Sequence, residues 1–282
     1  DWSNRIHNAG LTTFRYMDVF NSDKLIYSMD QHQEVKSSIE AIKRRMMAQT
    51  NNDLLANSYT STEYAAYGKD VVIASFFAGV IDSQRNQRWT ADISAVDKLK
   101  TSVEAHGIEF VLLHNCFDLP NHVDISGSPY FERWLKQWQY LRDHPEIERV
   151  FVTDATDVDM LNNPFTHIEP DKLYVGDEPL QTLSNNWMLN NHKEQHVRKF
   201  LLKHPKLQLL NCGVVGGDRK TVMELCRSMY LYYFENPTEK TDMGAFNYIV
   251  YSDFLGRIEY GRQVTTLFKR FEPSSTAWFR HK

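Results

Sequence analysis

The sequence has few of the features that mark several classes of protein. It has three cysteines among 282 residues, an odd number that gives neither a disulfide framework nor the spacing of a zinc site. Its formal net charge is -4, so no basic excess favours binding to nucleic acid. No apolar run approaches the length of a membrane-spanning helix, and there is no internal repeat. The remaining composition, 42% hydrophobic and 24% charged, is that of an ordinary globular protein.

The same scarcity bears on the cellular compartment. The few cysteines fit a reducing environment and favour the cytoplasm. The lack of an N-glycosylation acceptor agrees, since Asn236-Pro237-Thr238 is excluded by its proline. The sequence begins with Asp1 rather than Met, so a removed signal or an upstream anchor stays open.

The pattern of apolar residues changes near residue 70. Residues 1–69 contain no convincing buried strand, and apolar residues recur there at helical spacing between positions 31 and 49, which predicts a helical N-terminal extension. Beyond this point, short apolar runs alternate with amphipathic segments. Strands are predicted at 71–77, 110–113, 150–153, 173–176 and 209–215, and helices at 94–106, 128–141, 218–235 and 242–254. The alternation predicts that residues 70–282 form an α/β sandwich around a mostly parallel central sheet.

Three carboxylates follow the third predicted strand, at Asp154, Asp157 and Asp159. Ligands of open α/β sheets bind at the carboxyl ends of the strands. If this segment is extended, Asp157 and Asp159 point to the same side, where two carboxylates can hold a hard divalent cation and help to neutralise a diphosphate. Because the acidic pattern is short, a polar loop whose carboxylates cap the next turn is the alternative. The strongly apolar strand that precedes the cluster favours the metal site.

The segment Asp157-Val158-Asp159-Met160-Leu161-Asn162-Asn163-Pro164 resembles the Asp-x-Asp motif of the GT-A-fold, metal-dependent glycosyltransferases that use nucleotide sugars. The resemblance implies a GT-A-like, Rossmann-type fold, in which Asp157 and Asp159 bind Mn²⁺ or Mg²⁺ and the diphosphate of the donor. Asp154 is an extra acid upstream of that motif. Two roles stay open for Asp154: it replaces one of the metal ligands, or it contacts the ribose or sugar of the donor.

Two later segments resemble further elements of these enzymes. The first, Leu209 to Asp218, resembles an Asn-x-Gly element that lines the donor and acceptor sugars, which implies binding roles for Asn211, Gly213, Gly216 and Gly217. Taken alone, its glycines predict a tight turn between strand and helix. The second, Thr241 to Asn247, resembles an Asp-Gln-x-x-x-Asn element with Met243 in place of Gln. There Asp242 would contact the transferred sugar or act as a base, and its alternative is an acidic helix N-cap.

The resemblance also implies a nucleotide site around the first strand and the loop that follows it. Ser75, Phe76 and Phe77 would lie along the base and ribose. The loop supplies Asp82, Arg85 and Arg88, of which either arginine can meet phosphate, although surface solvation is an equally good interpretation. Arg133, on the helix before the third strand, is a further phosphate or base candidate.

The C-terminal residues His281 and Lys282 have two interpretations. They resemble a C-terminal metal-binding histidine and a basic residue that contacts the diphosphate. The alternative is a disordered basic tail, because chain termini are commonly disordered.

The sequence therefore predicts a glycosyltransferase that moves a hexosyl or pentosyl group from a nucleotide sugar to a glycan or another hydroxyl acceptor. UDP is expected as the carrier by analogy, and Asp242 and Asp154 are the catalytic candidates. A phosphatase of the haloacid-dehalogenase type is excluded, because the next acid lies three residues after Asp154 rather than two. A sugar-phosphate nucleotidyltransferase and a non-catalytic carbohydrate-binding relative stay open. The first lacks its usual Gly-rich basic loop, and the second leaves the buried carboxylates without a partner.

Overall fold

The computed structural model describes residues 68–89, 92–116, 119–272 and 275–282. The helical extension predicted for residues 1–69 lies outside these ranges, apart from its last two positions. No helix in the described part of the chain is long and apolar enough to cross a membrane.

Ten strands and six helices make up the described fold. The strands are β1 (Lys69–Phe76), β2 (Ile81–Asp82), β3 (Gln87–Arg88), β4 (Glu109–His114), β5 (Ile147–Asp154), β6 (Val158–Met160), β7 (Leu173–Thr182), β8 (Gln208–Asp218), β9 (Ile258–Tyr260) and β10 (Phe279–His281). The helices are α1 (Asp97–Glu104), α2 (Pro129–Asp143), α3 (Asn186–Asn191), α4 (Gln195–Lys203), α5 (Arg219–Glu235) and α6 (Met243–Asp253).

The central sheet has six strands in the order β4-β1-β5-β8-β7-β9. β1 pairs in parallel with β4 and β5, and β7 pairs in parallel with β9. β8 is antiparallel to both of its neighbours, so five strands run one way and one runs the other. The predicted α/β fold with a mostly parallel central sheet is confirmed. Val71, Val72, Ile73 and Ala74 of β1 are fully buried, as expected of a strand covered on both faces.

Alternate residues of β1 face different layers. Val72 and Ala74 belong to a core with Leu99 and Val103 of α1, which also includes aromatic residues from the C-terminal end of the chain. On the opposite face Ser75 receives a hydrogen bond from Gln137 of α2 (3.2 Å). Helices α2, α5 and α6 pack together on that side. The sheet is therefore the middle of three layers, which places both faces of its strands in the core.

Local signals explain several helix ends. α2 begins at Pro129, directly after Ser128, as predicted. Asp218 precedes α5, and its carboxylate accepts a hydrogen bond from the main-chain N–H of Thr221 (3.0 Å). α5 ends at Glu235, where the predicted helix also ends.

A two-stranded ribbon formed by β6 and β10 lies outside the central sheet. The strands are antiparallel, with Arg280 opposite Asp159 and His281 opposite Val158. The main-chain N–H of Lys282 also donates to the carbonyl of Asp157 (2.9 Å). The C-terminus is thus a paired strand with His281 buried, and the alternative of a disordered tail is wrong.

Candidate functional site

Asp154, Asp157 and His281 form a cluster at the carboxyl end of β5. Each residue offers one ligand atom, and the three ligand atoms lie within 4.8 Å of one another. Among the described residues, this is the cluster of side chains that could hold a metal ion. His281 Nε2 lies 3.7 Å from Asp154 Oδ2 and 3.7 Å from Asp157 Oδ2. The imidazole is buried, whereas the two carboxylates are partly exposed. Two carboxylate oxygens and one imidazole nitrogen are a donor set that fits a divalent cation such as Mn²⁺.

Gly213 of β8 leaves the space in which this cluster forms. A Cβ atom at this position would lie 2.2 Å from Cε1 of His281 and 2.7 Å from Oδ2 of Asp154. Such distances are far below van der Waals contact. The predicted importance of Gly213 therefore has a steric reason, because any larger residue would push the imidazole or the carboxylate away.

Arg133 of α2 holds Asp154 from the other side. Its guanidinium is mostly buried and pairs with Asp154 and with Asp242, in the second case at 2.6 Å. The same group donates to the Cys212 sulfur at 3.1 Å. Burial raises the pKa of the Asp154 carboxyl, and the neighbouring Arg133 only partly opposes this. Arg133 therefore positions protein carboxylates, and its predicted contact with phosphate would require one of these pairs to open.

Asp242 stands directly before α6 but does not cap it with its side chain. Its Oδ2 accepts hydrogen bonds from Arg133 Nη2 (2.6 Å) and from the indole N–H of Trp134 (3.0 Å). The residue is 1% exposed. The carboxylate therefore does not cap α6, and its predicted contact with a substrate stays a prediction.

Asp159 is not part of the cluster of Asp154, Asp157 and His281, contrary to the prediction that it shares a side with Asp157. This cluster is called the metal-binding cluster below because its donor atoms suit a metal ion. Asp157 lies in the turn before β6, so the two residues are not consecutive positions of one strand. Asp159 instead faces Arg280 across the ribbon, and Asp154 takes the place in the cluster that the sequence assigned to Asp159. The physical reason is the start of the strand at Val158, which ends the alternation that the prediction assumed.

Three cations converge on a single oxygen of Asp159. Oδ2 lies 2.7 Å from Lys98 Nζ, 3.0 Å from Lys282 Nζ and 3.2 Å from Arg280 Nη1. Burial acts to raise the pKa of Asp159, but hydrogen bonds from the two ammonium groups prevail and lower it. Three positive charges against one negative charge leave a net positive patch beside His281, because Lys282 is the next residue. We call Lys98 and Lys282 the lysine pair.

The sequence did not single out Lys98. It lies on an exposed face of α1, 61 residues before its partner Asp159. No local pattern distinguishes it from the neighbouring Lys100. The contact depends on packing of α1 against the ribbon, which is non-local information.

Of the residues predicted to surround the nucleotide, one lies at the sheet edge and two have their side chains in the core. Ser75 lies near the end of β1, at the same sheet edge as Asp154. Phe76 and Phe77 are 6% and 2% exposed, so their rings belong to the core. A nucleotide at this edge would therefore meet the main chain of these two residues and not their ring faces.

Asp82 organises the hairpin of β2 and β3. It is buried and accepts hydrogen bonds from the main-chain N–H of Arg85 (3.0 Å), the indole of Trp89 (3.1 Å) and the hydroxyl of Tyr130 (3.0 Å). The side chain of Arg85 pairs with the same carboxylate, and Arg88 donates to the carbonyl of Gly79. These contacts give Asp82 a structural role and leave the predicted phosphate contacts of the two arginines as predictions.

Gly216 and Gly217 do not reach the cluster. β8 is antiparallel to β5, so Gly213 lies near the end of β5 while Gly217 pairs with Val150, nearer its start. A Cβ at Gly216 would lie 2.3 Å from the Phe151 ring, and one at Gly217 would lie 2.5 Å from the carbonyl oxygen of Lys172. Both glycines are therefore required for packing, and the ligand-binding role predicted for them is not supported by their position.

Asn211 connects the cluster to a carboxylate that the sequence analysis missed. Its Oδ1 accepts a hydrogen bond from the main-chain N–H of Gly213 (2.8 Å), and its Nδ2 donates to Glu178 Oε1 (2.9 Å). Glu178 follows the predicted strand at 173–176, as Asp154 follows the one at 150–153. An acid within two residues of the end of a predicted strand was thus a signal for both, although Asp177 precedes Glu178 there.

Comparison with known proteins adds little to this geometry. No protein-family profile and no curated protein matches the sequence. Among solved structures, the chain is similar to one described as the crystal structure of a glycosyltransferase involved in the glycosylation of the major capsid of PBCV-1. The similarity covers 76% of this chain and 94% of that one, with 13% identity and a TM-score of 0.43. A similarity of this size transfers neither a substrate nor a catalytic residue.

Proposed function

We propose that this protein is a metal-dependent glycosyltransferase that uses a nucleoside-diphosphate sugar, with UDP as the expected carrier. The observation that carries the proposal is a cluster of two carboxylates and an imidazole that lies beside a group of basic side chains at the carboxyl edge of the sheet. Asp154, Asp157 and His281 would hold the divalent cation, and the lysine pair would bind phosphate oxygens. A diphosphate that bridges a metal ion and two ammonium groups satisfies both halves of this arrangement.

The two halves are joined by the main chain. His281 and Lys282 are consecutive, and the N–H of Lys282 donates to the carbonyl of Asp157 (2.9 Å). A ligand that engages His281 is thus next to a residue of the lysine pair. When bound, a divalent cation supplies positive charge that stabilises the departing diphosphate. The protein's own contribution is to orient that diphosphate between the cluster and the ammonium groups, so that the bond to the anomeric carbon lies at the sheet edge.

Thermal unfolding with nucleotides tests the proposal. We expect UDP and one or more of UDP-glucose, UDP-galactose, UDP-N-acetylglucosamine and UDP-xylose to stabilise the fold when Mn²⁺ is present, and less so with EDTA. A ligand at 100 times its Kd stabilises the folded state by about 2.7 kcal/mol. Asp157→Asn and His281→Ala should lose the metal-dependent part of the shift, whereas Asp124→Asn, at an exposed position outside the site, should keep it.

The outcomes separate the alternatives. No shift with any nucleotide, with or without metal, would overturn the proposal. Stabilisation by a nucleoside triphosphate and a sugar 1-phosphate, without response to nucleotide sugars, would favour a nucleotidyltransferase. Binding of UDP-sugars without any release of UDP in the presence of acceptors or water would favour a non-catalytic relative of the same fold.

A further inference from the structure

Of the carboxylates at or near the carboxyl edge of the sheet, Asp159 and Asp177 are buried, and three of the remaining four are already engaged. Asp154 and Asp157 belong to the metal-binding cluster. Asp242 is buried and receives hydrogen bonds from Arg133 and Trp134. Glu178 is the fourth, and it is only partly buried. A group that must meet a substrate from this edge is therefore best sought at Glu178.

The topology explains why Glu178 reaches this edge. β7 runs in the same direction as β1 and β5, so residues late in β7 lie at the edge where β5 ends. The contacts run without a gap from Glu178 Oε1 to Asn211 (2.9 Å) and from Asn211 to the N–H of Gly213 (2.8 Å). A Cβ atom at Gly213 would in turn collide with both His281 and Asp154. Glu178 is thus two hydrogen bonds away from the wall of the cluster.

The surroundings of Glu178 keep it able to exchange a proton. Burial raises the pKa of its carboxyl, while the hydrogen bond from Asn211 and the positive charge of Lys269 oppose this. In the part of the chain that the structure describes, Asn211 is the side chain that donates to it, through Oε1. Oε2 is therefore the oxygen that can meet a substrate hydroxyl.

A half-buried aromatic ring packs against His281 of the cluster. Phe268 packs edge-on against the His281 imidazole, with ring centroids 4.7 Å apart. The ammonium of Lys269 lies 4.9 Å from the centroid of the same ring, and Lys269 has a left-handed backbone with φ of 59°. Non-glycine residues rarely adopt this conformation, and it marks a loop held in place by its surroundings. An aromatic face and a carboxylate together suit a polyhydroxylated acceptor such as a sugar.

We propose that Glu178 is the general base of the reaction, which binds the attacking hydroxyl of a carbohydrate acceptor and takes its proton. The inference rests on the proposed function. The hydroxyl proton moves to Glu178 Oε2 while the hydroxyl oxygen forms a bond to the anomeric carbon of the donor. The bond from that carbon to the diphosphate oxygen breaks, and its electron pair leaves with the nucleoside diphosphate. Glu178 then releases the proton to water.

The competing interpretation is that Glu178 has only a structural role, as the hydrogen-bond acceptor of Asn211. Nucleophiles that differ in their need for a general base distinguish the two roles. Water must lose a proton when it attacks the donor, whereas azide carries no proton to lose. Azide attack forms a glycosyl azide and releases the nucleoside diphosphate, so this route does not need Glu178.

The experiment measures UDP release from the UDP-sugar that stabilises the wild type, with Mn²⁺, in Glu178→Gln, Glu178→Ala and Asp177→Asn. Asp177 is the matched control, because it is the adjacent residue of β7 and alternate strand residues point to opposite faces. We expect Glu178→Gln to lower UDP release to water and to p-nitrophenyl glycoside acceptors by 100-fold or more, in the range typical of a general base. Donor affinity, measured by calorimetry, should change less than threefold.

Three further results complete the test. Azide should restore UDP release in Glu178→Ala and yield a glycosyl azide, and Asp177→Asn should keep its release rate. The wild-type rate should rise with pH as Glu178 loses its proton, and Glu178→Gln should lack this rise. Rates within threefold of the wild type in Glu178→Gln, or loss of donor affinity in step with the rate, would overturn the inference. Absence of any nucleotide-sugar binding in the wild type would instead overturn the proposed function, and this inference with it.

Discussion

At the scale of single residues, Asp177 is a carboxylate that the fold buries without a full set of partners. It is 5% exposed, and its Oδ1 has no hydrogen-bond partner among the described residues. Burial raises its pKa to about 6, with Arg262 opposing the change and Glu178 adding to it. The folded state therefore keeps a proton at pH values at which the unfolded state has lost it.

The sign of the resulting effect on stability follows from proton linkage. Because the folded protein binds more protons than the unfolded chain between pH 3.8 and about 6, its stability falls as the pH rises through this window. Above it the ionised carboxylate costs at most about 3 kcal/mol. We expect Asp177→Asn to raise the free energy of unfolding at pH 7 by up to that amount and to change it little near pH 4. Urea unfolding at the two pH values measures this, with Asp124→Asn as the exposed control. An equal effect at both pH values would contradict the assignment.

The aspartate cluster shows how far the sequence predicts a site at this scale. The apolar strand at 150–153 correctly indicated where carboxylates would meet at the sheet edge. The prediction that Asp157 and Asp159 share a side was wrong, because three residues, 155–157, lie between β5 and β6. Asp157 and Asp159 are therefore not alternate positions of one strand. A pattern with a period of two residues holds only within a strand, and the sequence does not mark the start of a three-residue strand.

At the scale of elements, the ribbon of β6 and β10 is the part of the candidate site that the sequence did not reveal. Each strand has three residues, too few for a periodic signal. Their pairing joins Asp159 to Arg280, 121 residues away. By contrast, the longer elements β1, β5, β8, α2 and α5 carried strong apolar patterns or caps and were predicted close to their observed bounds. Local signals thus predicted the scaffold, and non-local pairing decided the lysine pair and the position of His281.

The packing of α1 against this ribbon leads to a prediction for Lys98. Its ammonium lies 2.7 Å from Asp159, whereas Lys100 on the same helix pairs loosely with Glu104 at 3.9 Å. If the lysine pair binds the second phosphate, Lys98→Ala should weaken UDP binding about tenfold or more, since a hydrogen bond between charged groups contributes about 1.5–3 kcal/mol. Binding of UMP should change less, and Lys100→Ala should leave both unchanged. Calorimetry with the two nucleotides decides, and equal losses for UDP and UMP in Lys98→Ala would assign Lys98 a structural role only.

At the scale of the whole molecule, Arg133 connects the helical layer to the sheet. Its guanidinium reaches Asp154 at the end of β5, Cys212 in β8 and Asp242 at the start of α6. Burial alone would lower the pKa of Arg133, but the two carboxylates prevail and keep it charged. One side chain of α2 thus fixes the relative positions of three elements around the candidate metal centre.

Removal of this guanidinium should destabilise the fold, because it would leave the buried carboxylate of Asp242 without its positively charged partner. Breaking a buried ion pair on one side typically costs 3–5 kcal/mol, whereas replacing both partners is often close to neutral. We expect Arg133→Met to lower the free energy of unfolding by about 3–5 kcal/mol and Arg133→Met combined with Asp242→Asn to recover at least half of this loss. Denaturant unfolding of both single variants and the double variant gives the coupling between the two residues. If the losses in the free energy of unfolding of the two single variants add up in the double variant, Arg133 acts through packing alone. If the double variant is more stable than Arg133→Met, the two buried charges stabilise the fold as a pair.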